Sequence, residues 1–236
     1  MSLHSECVWL RKRSFEEVED LVRSVDGRGC NIDSLEQLNW PRWHKVQIID
    51  LSNNTLKNLP IELFLLPNVV SINASRNFLQ TIPSLSECRA MVLDLSHNRL
   101  SEAPVGEAKE SSPLVSLNLS FNRLQRLDEN IGKILNRIQN LFLEYNLLES
   151  LPSTIASLPL IGRLTFQGNT GIDCAWLTEK TKDLTRVRRA IRLPFDLAVR
   201  YGNYQTVADL LNNQMIDIDA QDEVGLFFFF LWVIGE

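Results

Sequence analysis

Residues 114–124 read LVSLNLSFNRL, and the frame they fill, LxxLxLxxNxL, recurs on both sides. Upstream it holds VQIIDLSNNTL at 46–56, VVSINASRNFL at 69–79 and AMVLDLSHNRL at 90–100. Downstream it holds IQNLFLEYNLL at 138–148 and IGRLTFQGNTG at 161–171, where Gly171 stands in place of the last leucine. The asparagines Asn54, Asn77, Asn98, Asn122, Asn146 and Asn169 follow one another at steps of 23, 21, 24, 24 and 23 residues. A fixed period in this range marks a solenoid: no unit buries its own apolar face, and stacked neighbours share one core. Within each unit the LxL alternation predicts a short strand with its apolar residues inward. Strands are expected near 48–51, 71–74, 92–95, 116–119, 140–143 and 163–166, with loops, turns or irregular helices between them. The recurring Asn falls where the chain leaves the strand. There its amide can bond buried backbone groups of the turn and of the neighbouring unit, which gives the series a structural role.

Pro60, Pro83, Pro104 and Pro152 occupy one slot after an apolar residue, with Asp128 in that slot between Pro104 and Pro152. Proline there fixes φ and stops the strand from extending. Over residues 46–171 the chain resembles the leucine-rich repeats of intracellular, small-GTPase-associated proteins. The resemblance implies an α/β fold, a right-handed curved leucine-rich-repeat solenoid with a parallel sheet on its concave face. It also implies a surface for holding a protein partner rather than a site for chemistry.

Strand alternation places Asp50, Asn73, Asp94, Asn118, Phe142 and Thr165 in one outward column. Asn53, Arg76, His97, Phe121, Tyr145 and Gly168 form the next. Phe121, Phe142 and Tyr145 are expected to make an exposed aromatic cluster beside Glu144, with Arg76 and His97 as its polar rim. Aromatic side chains and arginine dominate interface hot spots, so these six residues are the candidate partner-binding site.

Residues 1–45 are expected to hold an N-terminal helical cap and a degenerate repeat. Ser14 and Glu17 form a capping-box pattern, and Phe15, Val18, Leu21, Val22 and Val25 make an apolar stripe, so a helix is predicted over 6–26. Val22, Val25, Cys30 and Ile32 also fit the repeat frame, with Gly27 replacing a leucine and Cys30 lying 24 residues before Asn54. Trp40 and Trp43 are expected to pack at this end.

After the repeats (46–175) the frame stops. Residues 176–225 read as a helical linker and a single ankyrin-like repeat. In LPFDLAVRYGNYQTVADLLNNQMIDIDAQDEVG, Pro194, Ala198, Gly202, Val207, Leu210 and Leu211 fall on the ankyrin pattern. Leu193, Phe195, Asp196, Gln214 and Asp219 depart from it. The resemblance implies an α-helical hairpin over 193–213, and a helix at 176–191 is expected to cover the last coil. One such repeat cannot stand alone. The array is therefore expected to continue past Gly225, and the apolar tail 226–236 (LFFFFLWVIGE) to lie outside the native fold.

The chain has 236 residues, 44% of them hydrophobic, enough for a substantial core, and a net charge of −5 that gives no nucleic-acid footprint. The basic run Arg186, Arg188, Arg189 and Arg192 reads as a solvated helix face, with a nuclear-import or phosphate patch as the alternative. Cys7, Cys30, Cys88 and Cys174 show no metal-site spacing, and MSLHSECVWLRKR holds no signal-peptide core. Sequons occur at Asn53, Asn73 and Asn118, but this frame produces such strings by chance, and a cytoplasmic setting is expected. The run Leu226–Ile234 is too short to span a bilayer. Phosphate-loop, dinucleotide and HExxH motifs are missing, and His4, His44 and His97 are scattered. No catalytic residue, cofactor or metal is expected. The function expected is a non-catalytic scaffold or adaptor for a protein partner, in small-GTPase signalling. The alternative follows from VVSINASRNFLQTIP and MVLDLSHNRLSEAP, which resemble the repeat region of Roco-type leucine-rich-repeat kinases. On that alternative the chain is part of a larger signalling enzyme. A secreted ectodomain is disfavoured.

Overall fold

A computed structural model describes residues 7–9, 22–36, 38–106 and 111–169. Eight three-residue strands form one parallel sheet in sequence order: β1 (Cys7–Trp9), β2 (Ser24–Asp26), β3 (Ile48–Asp50), β4 (Ser71–Asn73), β5 (Val92–Asp94), β6 (Ser116–Asn118), β7 (Asn140–Phe142) and β8 (Arg163–Thr165). Each of the six predicted strands starts on the first residue of its expected span. Adjacent strands pair with no slip, so Ile49, Ile72, Leu93, Leu117, Leu141 and Leu164 stand in one line. One set of frame positions therefore defines a leucine-rich-repeat solenoid, with every inward residue feeding a single core.

That core is continuous. Leu95, Leu119 and Leu143 are fully buried, as are Leu56, Leu79, Leu100, Leu124 and Leu148 from the ends of the frames. On the far side from the sheet the chain uses minimal pieces of helix. One is α1 (Ile61–Phe64), which buries Leu63 and Phe64; another is α2 (Ile131–Ile134); short 3-10 turns serve elsewhere. Gly132 in α2 lies so close to the Thr154 backbone that a Cβ would collide with it, and its N–H donates to Thr154 Oγ1 at 3.3 Å.

The asparagine series is buried and fully bonded. Asn122 Nδ2 donates to the carbonyls of Leu95 (3.0 Å), Leu119 (3.0 Å) and Ser120 (3.3 Å), and its Oδ1 accepts from Leu100 N–H at 3.0 Å. Leu95 and Leu100 belong to the preceding coil. Each amide therefore ties its own turn to the one before it. Asn77, Asn98, Asn146 and Asn169 repeat the pattern.

The helix expected over 6–26 is corrected at its two ends, where Cys7–Trp9 and Ser24–Asp26 are strands; residues 10–21 lie outside the described residues. The degenerate-repeat alternative describes the second of them. Ser24, Val25 and Asp26 pair with Ile48, Ile49 and Asp50. Cys30 then occupies the asparagine slot, where its N–H and that of Ile32 both donate to Asn54 Oδ1 at 3.0 Å. Val22 and Val25 misled because the first step of the frame, i to i+3, is also a helical spacing. Trp43 is buried and packs at a ring distance of 5.4 Å from Trp40. The helix expected at 176–191, the ankyrin-like hairpin, the basic run and the Phe-rich tail lie outside the described residues.

Two substitutions test the fold. Leu119→Ala should lower unfolding free energy by about 2–5 kcal/mol through cavity formation, read as a shift of the denaturant midpoint. Asn122→Ala should cost at least about 2 kcal/mol, because it strands buried backbone groups in two coils at once. An unchanged midpoint in either variant contradicts the arrangement.

Candidate partner-binding face

Two residue columns build the candidate site, and each is set by backbone geometry. In the first, the side-chain oxygens of Asp50, Asn73, Asp94 and Asn118 accept the N–H of Ser52, Ser75, Ser96 and Ser120 at 2.9–3.1 Å. These Asx turns end each strand. The same groups pair across coils: Asn73 Nδ2 reaches Asp50 Oδ2 at 3.4 Å, and Asn118 Nδ2 reaches Asp94 Oδ2 at 3.3 Å. At the start of the row two aspartates are adjacent, and Arg28 bridges them, 2.9 Å from Asp26 and 3.6 Å from Asp50.

The second column lies three residues past the strand ends. Gly29, Asn53, Arg76, His97, Phe121, Tyr145 and Gly168 all have positive φ, between 51° and 74°. Among the described residues, Gly29, Asn53, Arg76, His97, Phe121 and Tyr145 each donate the N–H to a carbonyl of the next coil, at 2.8–3.0 Å. The slot therefore demands left-handed backbone, which glycine and asparagine adopt readily and bulky residues do not. Four consecutive coils fill it with Arg76, His97, Phe121 and Tyr145 nonetheless, at roughly 1–2 kcal/mol of strain each.

The result is a continuous stack. His97 lies on Phe121 with ring centroids 4.3 Å apart and planes 7° apart; Phe121 lies on Tyr145 at 4.6 Å and 18°. Gly168 ends the stack: a Cβ there would sit 2.6 Å from the Tyr145 ring, so the next coil must present bare backbone. Phe121 and Tyr145 remain 43% and 41% exposed. Burial and the neighbouring Arg76 charge push the His97 pKa below its ordinary value, against the opposing pull of Asp94.

Of the predicted site, Phe121 and Tyr145 are together and exposed, and His97 is a member of the stack rather than only its rim. Arg76 stands exposed one coil before His97. Phe142 is half-buried in the other column, with the Arg163 guanidinium over its ring at 5.0 Å. Glu144 accepts from Ser120 Oγ and from Gln167 Nε2 at 3.4 Å, so it crosslinks three coils beside the rings. Sequence reasoning missed the left-handed slot itself, although Asn53 and Gly168 at its two ends signal it. It also missed Arg99 over Phe78 at 4.5 Å. At β8 the Thr165 Oγ1, Arg163 Nε and Gln167 Oε1 atoms are buried without a hydrogen-bond partner among the described residues.

No cluster of metal-binding side chains and no helix long and apolar enough to cross a membrane occurs among the described residues.

Strain and stacking oppose each other at Phe121. Phe121→Asn relieves roughly 1–2 kcal/mol of backbone strain and loses about 0.5–1.5 kcal/mol per ring contact. With a ring on each face, its net effect on unfolding free energy should lie between a gain of about 1 and a loss of about 2 kcal/mol, measured by chemical denaturation. A loss as large as a core deletion would place Phe121 in the stability framework instead. For His97, a lowered folded-state pKa means that the unfolded chain binds the proton more tightly. Its contribution is intact above about pH 6.5 and declines as pH falls through that value. Thermal melts of His97→Asn should therefore lose less stability than the parent between about pH 7.5 and 5.5.

Among solved structures the chain is similar to a leucine-rich-repeat protein of Leptospira interrogans, at 20% identity and a TM-score of 0.42. The match covers 70% of this chain and 53% of that one, so the chain spans about half of that protein's length. No protein-family model matches the sequence, and no curated protein does.

Proposed function

We propose that the chain is a non-catalytic interaction module that binds a protein partner on the face carrying Arg76, His97, Phe121, Phe142, Glu144 and Tyr145. One observation carries this reading: four coils in succession place large side chains in a slot whose backbone favours glycine or asparagine. Strained residues kept against their own conformational preference mark positions held for what the side chain does. Exposed aromatic surface beside charged groups is what interface centres are made of. The proline that recurs after an apolar residue, at Pro60, Pro83, Pro104 and Pro152, supports the narrower assignment, a cytoplasmic scaffold or adaptor in small-GTPase signalling.

Affinity capture with the full chain and with the Phe121→Ala/Phe142→Ala/Tyr145→Ala triple variant, read by quantitative mass spectrometry, tests this. The parent should retain a partner that the variant loses by at least about tenfold. Matching thermal melts must show that both are folded. Identical partner lists would remove the site from this face.

A further inference from the structure

Past the strand ends, the exposed edge of the solenoid carries cations and ring edges. Arg76, Arg99 and Arg123 stand exposed on three successive coils. Among the described residues no ion pair joins these three arginines to a carboxylate. Arg99 lies over Phe78, which is itself 40% exposed. The stacked rings of His97, Phe121 and Tyr145 continue the slot of Arg76, with Arg99 and Arg123 two residues past His97 and Phe121, and Leu147, at 52% exposure, two past Tyr145. The nearby carboxylates are engaged along the sheet: Asp94 by Ser96 N–H and Asn118, Glu144 by Ser120 and Gln167.

The stack decides which polar groups suit this edge. An aromatic ring is negative on its faces and positive on its rim. Here the Phe121 ring lies between His97 and Tyr145, and the Tyr145 ring lies between Phe121 and Gly168, so neither keeps an open face. What reaches solvent is rim, and rims and guanidiniums both favour anionic or carbonyl oxygen. We propose that this edge docks an extended acidic peptide segment in which carboxylates alternate with apolar side chains. The proposal rests on the reading of the stack as a contact surface and adds the chemistry of the partner. Coils step by about 4.8 Å along the sheet, and same-side residues of an extended peptide recur about every 7 Å. Long arginine side chains span that difference, and their forks take carboxylates in pairs. A single-stranded nucleic acid shares the negative charge, but its bases need open ring faces, and Phe121 and Tyr145 offer none.

The test is selection from a displayed library of random peptides of about 12 residues against the full chain. Enriched peptides should combine two or more Asp or Glu with an aromatic or aliphatic residue. Their affinity should fall at least about tenfold in Arg76→Gln/Arg99→Gln/Arg123→Gln, with an unchanged thermal melt. Enrichment of neutral or basic peptides, no enrichment, or indifference to the arginines overturns the proposal. So does oligothymidylate binding as tightly as the best peptide. Peptides lost on Phe121→Ala/Tyr145→Ala but not on removing the arginines would sink the acidic partner and leave the binding face standing. Peptides indifferent to both would sink both.

Discussion

A buried asparagine amide is the constraint on which this molecule depends. Its oxygen accepts one N–H from the coil before, and its two N–H bonds are shared among three carbonyls in two coils. To bring that amide under the strand, the chain must reverse within three residues. The Asx turn begins the reversal and the left-handed residue completes it. Leucines then fall inward at fixed places. The hydrophobic core supplies most of the free energy, but the amides determine where each coil sits on the last.

The same geometry explains why the candidate face is ordered. Seven residues share one backbone conformation and six of them bond to the coil beyond, so the five with side chains, Asn53, Arg76, His97, Phe121 and Tyr145, project them in parallel. Rings placed there stack without any further device. Order of this kind lowers the side-chain entropy lost on binding, which favours a rigid contact surface. The strain is local and is distributed over several coils, so the core tolerates it.

Most of the fold is legible in the sequence because the frame fixes register as well as periodicity. Leu117 sits against Leu93 and Leu141 with no slip, as the steps between asparagines require. The N-terminal coils are harder to read. Val22 and Val25 satisfy helix and strand alike, and Cys30 can hold the asparagine slot only because Asn54 supplies the acceptor from the next coil. In the candidate site, the outward columns follow from alternation. The separation of Phe142 from the Phe121–Tyr145 stack does not, because it depends on backbone handedness past the strand. Arg163, on the following coil, then takes the Phe142 ring instead.

The acid and amide row has a further consequence. In-register stacking sets like positions side by side, so neighbouring coils cannot choose their residues independently. Asp50 meets Asn73 and Asp94 meets Asn118, whereas the adjoining Asp26 and Asp50 are held by Arg28. Duplicating the Asp50 or the Asp94 coil, or moving the Asp94 coil next to that of Asp50, would oppose two carboxylates without a cation between them. A chain that looks modular in its leucines is therefore a fixed word in its surface letters. Its coils could have arisen by copying, but they can no longer be shuffled.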